Sequence, residues 1–147
     1  MDKTERYELV FQQVKAFASD SPDIISLMAN VAALLHESFG FWWTGFYRVS
    51  DDRLILGPFQ GSLACMVIPF GKGVCGTAWK EERIVVVPDV DQFPGHIACS
   101  SESRSEIVVP IRSEGDIIAV LDIDSRNLDN FDDTDELWLG RICELIR

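Results

Sequence analysis

The spacing of apolar positions changes several times along this chain, and each change marks an element. Leu9, Val10, Phe11, Val14 and Phe17 recur at helical spacing and predict a helix over residues 2–18. Ser21-Pro22-Asp23 reads as a second helix start, with a capping serine, proline at the first helical position and an acid in the first turn. That helix is expected to run to Phe39 and to stop at Gly40. Residues 41–49 and 53–56 then read as strands joined by Ser50-Asp51-Asp52. Further strands are expected at 64–68, 84–87, 105–111 and 117–123, with a short helix over 74–81 and a last one over 132–147. Helices at both ends of about six strands predict an α+β fold, a mostly antiparallel sheet with the N- and C-terminal helices packed on it. No repeat, low-complexity tract or linker interrupts the chain, so one domain over residues 1–147 is expected.

Charge narrows the partners. A net charge of -11 argues against nucleic acid, which is bound through Lys and Arg, and against an anionic membrane surface. No stretch approaches the roughly 18 apolar residues of a membrane-spanning helix, and Met1-Asp2-Lys3-Thr4-Glu5-Arg6 lacks the apolar core of a signal peptide. The expected compartment is the cytosol, where a recurring thiol serves catalysis, redox sensing or metal binding more often than a structural disulfide.

Three of the four cysteines, Cys65, Cys75 and Cys99, lie in segments crowded with glycine or proline, which places each on or beside a turn where a thiol is accessible. Gly71-Lys72-Gly73-Val74-Cys75-Gly76 has the spacing of a dinucleotide fingerprint, but only seven residues separate Gly76 from Ile84, too few for the crossover helix of a Rossmann unit. A tight turn into a short helix, whose amides could take an amino-acid carboxylate, is the expected reading. His96 and Cys99 have a His-x-x-Cys spacing, yet no Cys-x-x-Cys pair completes a structural zinc site, so neither metal nor cofactor is expected. His36 reads as structural or solvated, and Cys143, among Ile142, Leu145 and Ile146, as a small buried hydrophobe. In Val120-Leu121-Asp122-Ile123-Asp124 the acids alternate with apolar residues and share one strand face, and Glu106 alternates likewise with Ile107. Were these strands paired, the three acids would share one partly buried site that resists full ionisation; unpaired, they would decorate a solvated face. Phe41, Trp43, Gly45 and Tyr47 share one face of an aromatic run and Trp42, Thr44 and Phe46 the other, one to pack on a helix and one to line a pocket, or both simply to fill a core.

These segments together resemble the free methionine-(R)-sulfoxide reductases, enzymes built on a GAF domain. The likeness spans nearly the whole chain and is carried by Gly57-Pro58-Phe59-Gln60-Gly61, Ala64-Cys65, Gly71–Gly76, Val87-Pro88-Asp89-Val90, Phe93–Cys99, Ser103–Pro110 and Val120–Ser125. Ser100 stands where the family often has Asp, and Ala119 where it often has Gly. The resemblance implies Cys99 as nucleophile, Cys65 as resolving thiol and Cys75 as auxiliary thiol. It also implies Glu106, Asp122 and Asp124 as active-site acids and Trp43 and Tyr47 as pocket aromatics. The implied reaction is reduction of free methionine-(R)-sulfoxide, with an intramolecular disulfide reopened by thioredoxin. GAF domains often pair through their terminal helices, so a homodimer fits the resemblance. The rival reading is a GAF-type sensor that binds a small ligand or reports oxidants without turnover.

Overall fold

The computed structural model describes residues 1–97 and 102–147. Helices α1 (Lys3–Asp20) and α2 (Ile24–Phe39) lead into a sheet of β1 (Trp43–Ser50), β2 (Arg53–Gln60), β3 (Val67–Pro69), β4 (Val85–Val87), β5 (Ser105–Ser113) and β6 (Asp116–Ser125). A short helix α3 (Gly73–Glu81) lies between β3 and β4, and α4 (Asp133–Glu144) closes the chain. The sheet runs in the order β3-β2-β1-β6-β5-β4, and every pairing is antiparallel. The α+β architecture expected from the periodicity is therefore the one observed.

Two apolar layers sit on opposite faces of this sheet. On one, Tyr7, Val10 and Val14 of α1, Leu27, Met28, Val31 and Leu35 of α2, and Leu139 and Ile142 of α4 pack on Phe46, Ile107, Leu121 and Ile123. On the other, Val74, Cys75 and Ala78 of α3 pack on Trp43, Tyr47, Val108 and Val120. Strand alternation sends each residue to one layer or the other, so a single strand such as β6 serves both.

The ends of the elements show where local chemistry overrode the expected boundaries. Ser21 does not cap α2: its hydroxyl donates to the Asp23 carbonyl at 2.5 Å, while the Asp23 carboxylate accepts the Ser26 N–H at 2.8 Å and caps the helix instead. A carboxylate at this position also meets the positive end of the helix dipole, an advantage serine lacks. Gly40 stops α2 as expected, in the left-handed conformation with its N–H on the His36 carbonyl. Strand β2 continues through Gly57-Pro58 to Gln60 rather than stopping at Leu56, because both residues are absorbed in a bulge between the pairs Tyr47↔Leu56 and Gly45↔Phe59. Strand β3 is shorter than expected and begins at Val67, leaving Ala64 and Cys65 in the preceding loop. The last helix ends at Glu144. Phe41 precedes β1 and packs in the helix layer beside Phe46, away from the Trp43 face to which alternation had assigned it.

Candidate active site

Register builds the site. Strand β6 lies between β1 and β5, with Trp43 opposite Asp124 on one side and Glu106 opposite Asp124 on the other. Two residues along, Gly45 and Val108 flank Asp122 in the same way. Trp43, Asp124 and Glu106 thus form one row across three strands, and Asp122 stands in the next row on the same face, with Leu121 and Ile123 turned to the helix layer. The paired-strand reading of the three acids holds.

These side chains line one pocket with Tyr47, Ala64, Lys72, Gly73, Cys75, His96 and Ile97. Its volume is about 50 Å³, room for a few water molecules at roughly 10–15 Å³ each. The floor is acidic and dry. Glu106 and Asp122 are 5% and 6% exposed. Burial first, and the Asp124 charge second, push the Glu106 carboxyl up to about 8. Asp122 is raised well above the usual carboxylate range by burial and then by Glu106, and Asp124 by burial and then by Asp122. Three carboxyls in a low-dielectric cluster cannot all be ionised at neutral pH, so the site holds at least one carboxylic proton. His96 closes one side, its Nε2 3.7 Å from Glu106 Oε1. One oxygen of Asp122, Oδ1, is buried without a hydrogen-bond partner.

The aromatic residues have a second task. Trp43 Nε1 donates to the Ser62 carbonyl at 2.9 Å, and the Tyr47 hydroxyl donates to the Cys65 carbonyl at 2.8 Å. Both polar handles therefore fasten the loop between β2 and β3, the loop that carries Cys65, over the pocket. Trp43 is stacked between Tyr47 and Phe59, with centroids 6.1 and 5.3 Å away. Gly45 makes this close stack feasible: a Cβ there would lie 2.4 Å from Phe59 Cβ and 2.6 Å from the Trp43 ring.

Cys75 differs from expectation. It lies in the first turn of α3, 4% exposed, and its thiol is raised well above the usual range by burial and then by Asp122 and the other acids. The glycines around it serve the tight entry to α3, where Gly73 takes a positive φ of 63°, so the thiol is carried inward and not onto an accessible turn. Cys65 is half-buried in its loop. Cys99 lies outside the described residues. Cys143 is a buried free thiol in the helix layer, across the sheet from the pocket, as its neighbours implied. Ser103 also lines the pocket; its hydroxyl carries no chemical signal in the sequence, whereas Lys72 and Ile97 fall inside the Gly71–Gly76 and Phe93–Cys99 segments.

This strand order, with terminal helices on one face and a ligand-sized pocket on the other, is that of a GAF domain, and the chain belongs to that family, whose pattern matches residues 21–147. It belongs more narrowly with the free methionine-R-sulfoxide reductases. The protein of that name from Escherichia coli strain K12 is 44% identical over 97% of this chain and 87% of its own length. The one from Saccharomyces cerevisiae is 38% identical over 99% of this chain and 86% of its own. The X-ray structure of the free methionine-R-sulfoxide reductase from Neisseria meningitidis in complex with its substrate superposes with a TM-score of 0.97 at 52% identity, covering 99% of this chain and 89% of that one.

Proposed function

We propose that this protein reduces free methionine-(R)-sulfoxide to methionine, with Cys99 as nucleophile and Cys65 as resolving thiol. The observation that carries the reading is the convergence of Glu106, Asp122 and Asp124 with Trp43 and Tyr47 in one small pocket, beneath a loop that holds Cys65, in a chain of this family. The substrate's methyl-sulfinyl group packs against Trp43, its ammonium faces the acids, and its carboxylate meets the amides at the start of α3 beside Lys72. A Cys99 thiolate attacks the sulfoxide sulfur while a neutral carboxyl of the cluster protonates the oxygen. Methionine departs with its sulfur reduced, and the oxygen remains on Cys99 as a sulfenic acid. The Cys65 thiol then condenses with it, forming the disulfide and releasing water. A dithiol protein of the thioredoxin type reduces the disulfide and is itself oxidised. Cys75, buried and held protonated, is an auxiliary thiol at most.

Residues 1–147 act as one domain in this reading and work in the cytosol. Among the described residues no helix is long and apolar enough to cross a membrane. Pairing of two copies through the terminal helices is supported by Leu9 of α1 and Leu137 of α4, which are both exposed.

The deciding experiment is incubation of the protein with free racemic methionine sulfoxide and dithiothreitol, followed by chiral quantification of both epimers and of methionine. Loss of the R epimer alone, matched by methionine, is expected, with no activity on a peptide that contains the sulfoxide. Saturable ligand binding without any methionine formed would favour the sensor and overturn the enzyme.

A further inference from the structure

Cys75 lines the pocket, yet neither the attack nor the resolving step of the proposed reaction uses its thiol. Its Sγ and carboxylate oxygens of Glu106 and Asp122 all lie within 4.8 Å of one another, and all three residues are buried. One soft sulfur and two hard oxygens converge here from three elements, α3, β5 and β6. In a tetrahedral zinc shell the donors stand roughly 3.5 Å apart, given bonds of about 2.0 Å to oxygen and 2.3 Å to sulfur. Side-chain movements of about 1 Å bring the three donors to that spacing. A second observation points the same way: Asp122 Oδ1 is buried and has no hydrogen-bond partner. An ammonium group engages only the carboxylate oxygens, whereas a thiophilic divalent cation uses all three donors. His96, with Nε2 3.7 Å from Glu106 Oε1, stands beside the set where a fourth ligand or a water would complete the shell.

We propose that Cys75, Glu106 and Asp122 form a binding site for a thiophilic divalent cation of the zinc class, at the floor of the pocket, and that the cation excludes the amino-acid substrate from it. Binding exchanges protons for the metal. The thiol becomes a thiolate and any neutral carboxyl a carboxylate, each losing its proton to solvent, so two positive charges replace protons that burial had kept in place. No redox step is involved. The site is inhibitory and reversible, and it gives the buried thiol a function that a raised, protonated sulfur cannot have as a nucleophile.

The probe is cobalt(II), added to reduced protein that has been desalted under nitrogen. One equivalent should produce a sulfur-to-cobalt charge-transfer band in the near ultraviolet with the visible bands of a four-coordinate ion, and zinc should bleach both. The band should vanish in Cys75→Ser and survive in Cys65→Ser, Cys99→Ser and Cys143→Ser. Asp122→Asn and Glu106→Gln should each weaken cobalt binding at least about tenfold, a loss already typical of outer-shell changes; they keep the test decisive should Cys75→Ser fail to fold. Lack of saturable binding overturns the proposal, as does a band that persists without Cys75 or disappears with Cys99, which would move the ion to the His96-x-x-Cys99 segment. The absorbance needs no turnover, so a failed assay for sulfoxide reduction leaves this test intact. In an active enzyme, zinc should raise KM for the free sulfoxide at unchanged kcat when a non-chelating reductant is used.

Discussion

Asp122 and Glu106 illustrate how a single position can lower stability and supply chemistry at once. A carboxyl whose folded-state pKa is raised binds its proton more tightly in the native protein than in the unfolded chain. For Glu106, raised from 4.5 to about 8, the native state therefore holds more protons between those two values. Stability is full below the lower one and declines as pH rises toward the upper one. Glu106→Gln removes that penalty, so its melting temperature should exceed that of the wild type by a margin that grows from pH 5 to pH 8; a constant or reversed margin would show that the carboxyl is solvated. Activity should move the other way. With metal chelated, Glu106→Gln and Asp122→Asn should each lose about 10²- to 10⁴-fold in kcat/KM if general-acid help is what disappears. Wild-type turnover should itself decline as pH rises through about 8 and the neutral donor ionises. Near-normal kinetics in both amide variants would leave proton delivery to water or to His96.

Elements hold these residues in place through contacts that lie apart from the chemistry. Helix α1 is tied to α4 by the Tyr7 hydroxyl, which donates to Asp135 Oδ1 at 2.6 Å, and by Lys3 Nζ at 2.8 Å from Asp135 Oδ2. Asp135 also accepts the Asp132 N–H in the capping box that starts α4, so one buried carboxylate organises two helices. Tyr7→Phe should cost about 2 kcal/mol, the usual worth of a hydrogen bond to a charged group, measured by urea unfolding, with kcat and KM untouched. Gly45→Ala tests the opposite layer. Its new methyl would press on Phe59 and on Trp43, and overpacking of this kind costs about 1–3 kcal/mol. Because the displaced ring is a pocket wall, KM for the free sulfoxide should rise as well, a linkage Tyr7→Phe should lack. These elements also show what the sequence could and could not disclose. The 2-residue alternation of Asp122 with Leu121 and Ile123 was legible, as was the helical period of α2, because each depends on one segment only. That Cys75 faces inward was not, since glycine and proline signal a turn without saying which way the next side chain points. The extent of β2 was hidden for a like reason: Gly57-Pro58 breaks a strand unless its hairpin partner β1 accommodates a bulge, and the local pattern does not state that register. The hydrogen bonds from Trp43 and Tyr47 to the loop of Cys65 had no local signature at all.

For the whole molecule the sheet acts as a partition. Helices α1, α2 and α4 and the larger apolar layer lie on one side, and the pocket, α3 and the Cys65 loop lie on the other. Thiol chemistry should respect that partition. Cys143 is 3% exposed, and burial raises its pKa, so it is protonated at neutral pH and has no route through the sheet to the pocket short of unfolding. Substrate given to reduced enzyme without any reductant should therefore leave, after one turnover, a disulfide between Cys65 and Cys99, while Cys143 and Cys75 react with alkylating reagent only after denaturation. Peptide mapping under non-reducing conditions reads this directly. The division of labour proposed for Cys99 and Cys65 has its own test. Cys99→Ser should be inactive with every reductant, whereas Cys65→Ser should lose turnover with thioredoxin and keep part of it with dithiothreitol, which can reduce a sulfenic acid unaided. Equal losses for both variants with both reductants would assign the resolving role elsewhere. A dominant disulfide containing Cys143 would mean more, because it would require the helix layer to open during turnover and the sheet to be no barrier.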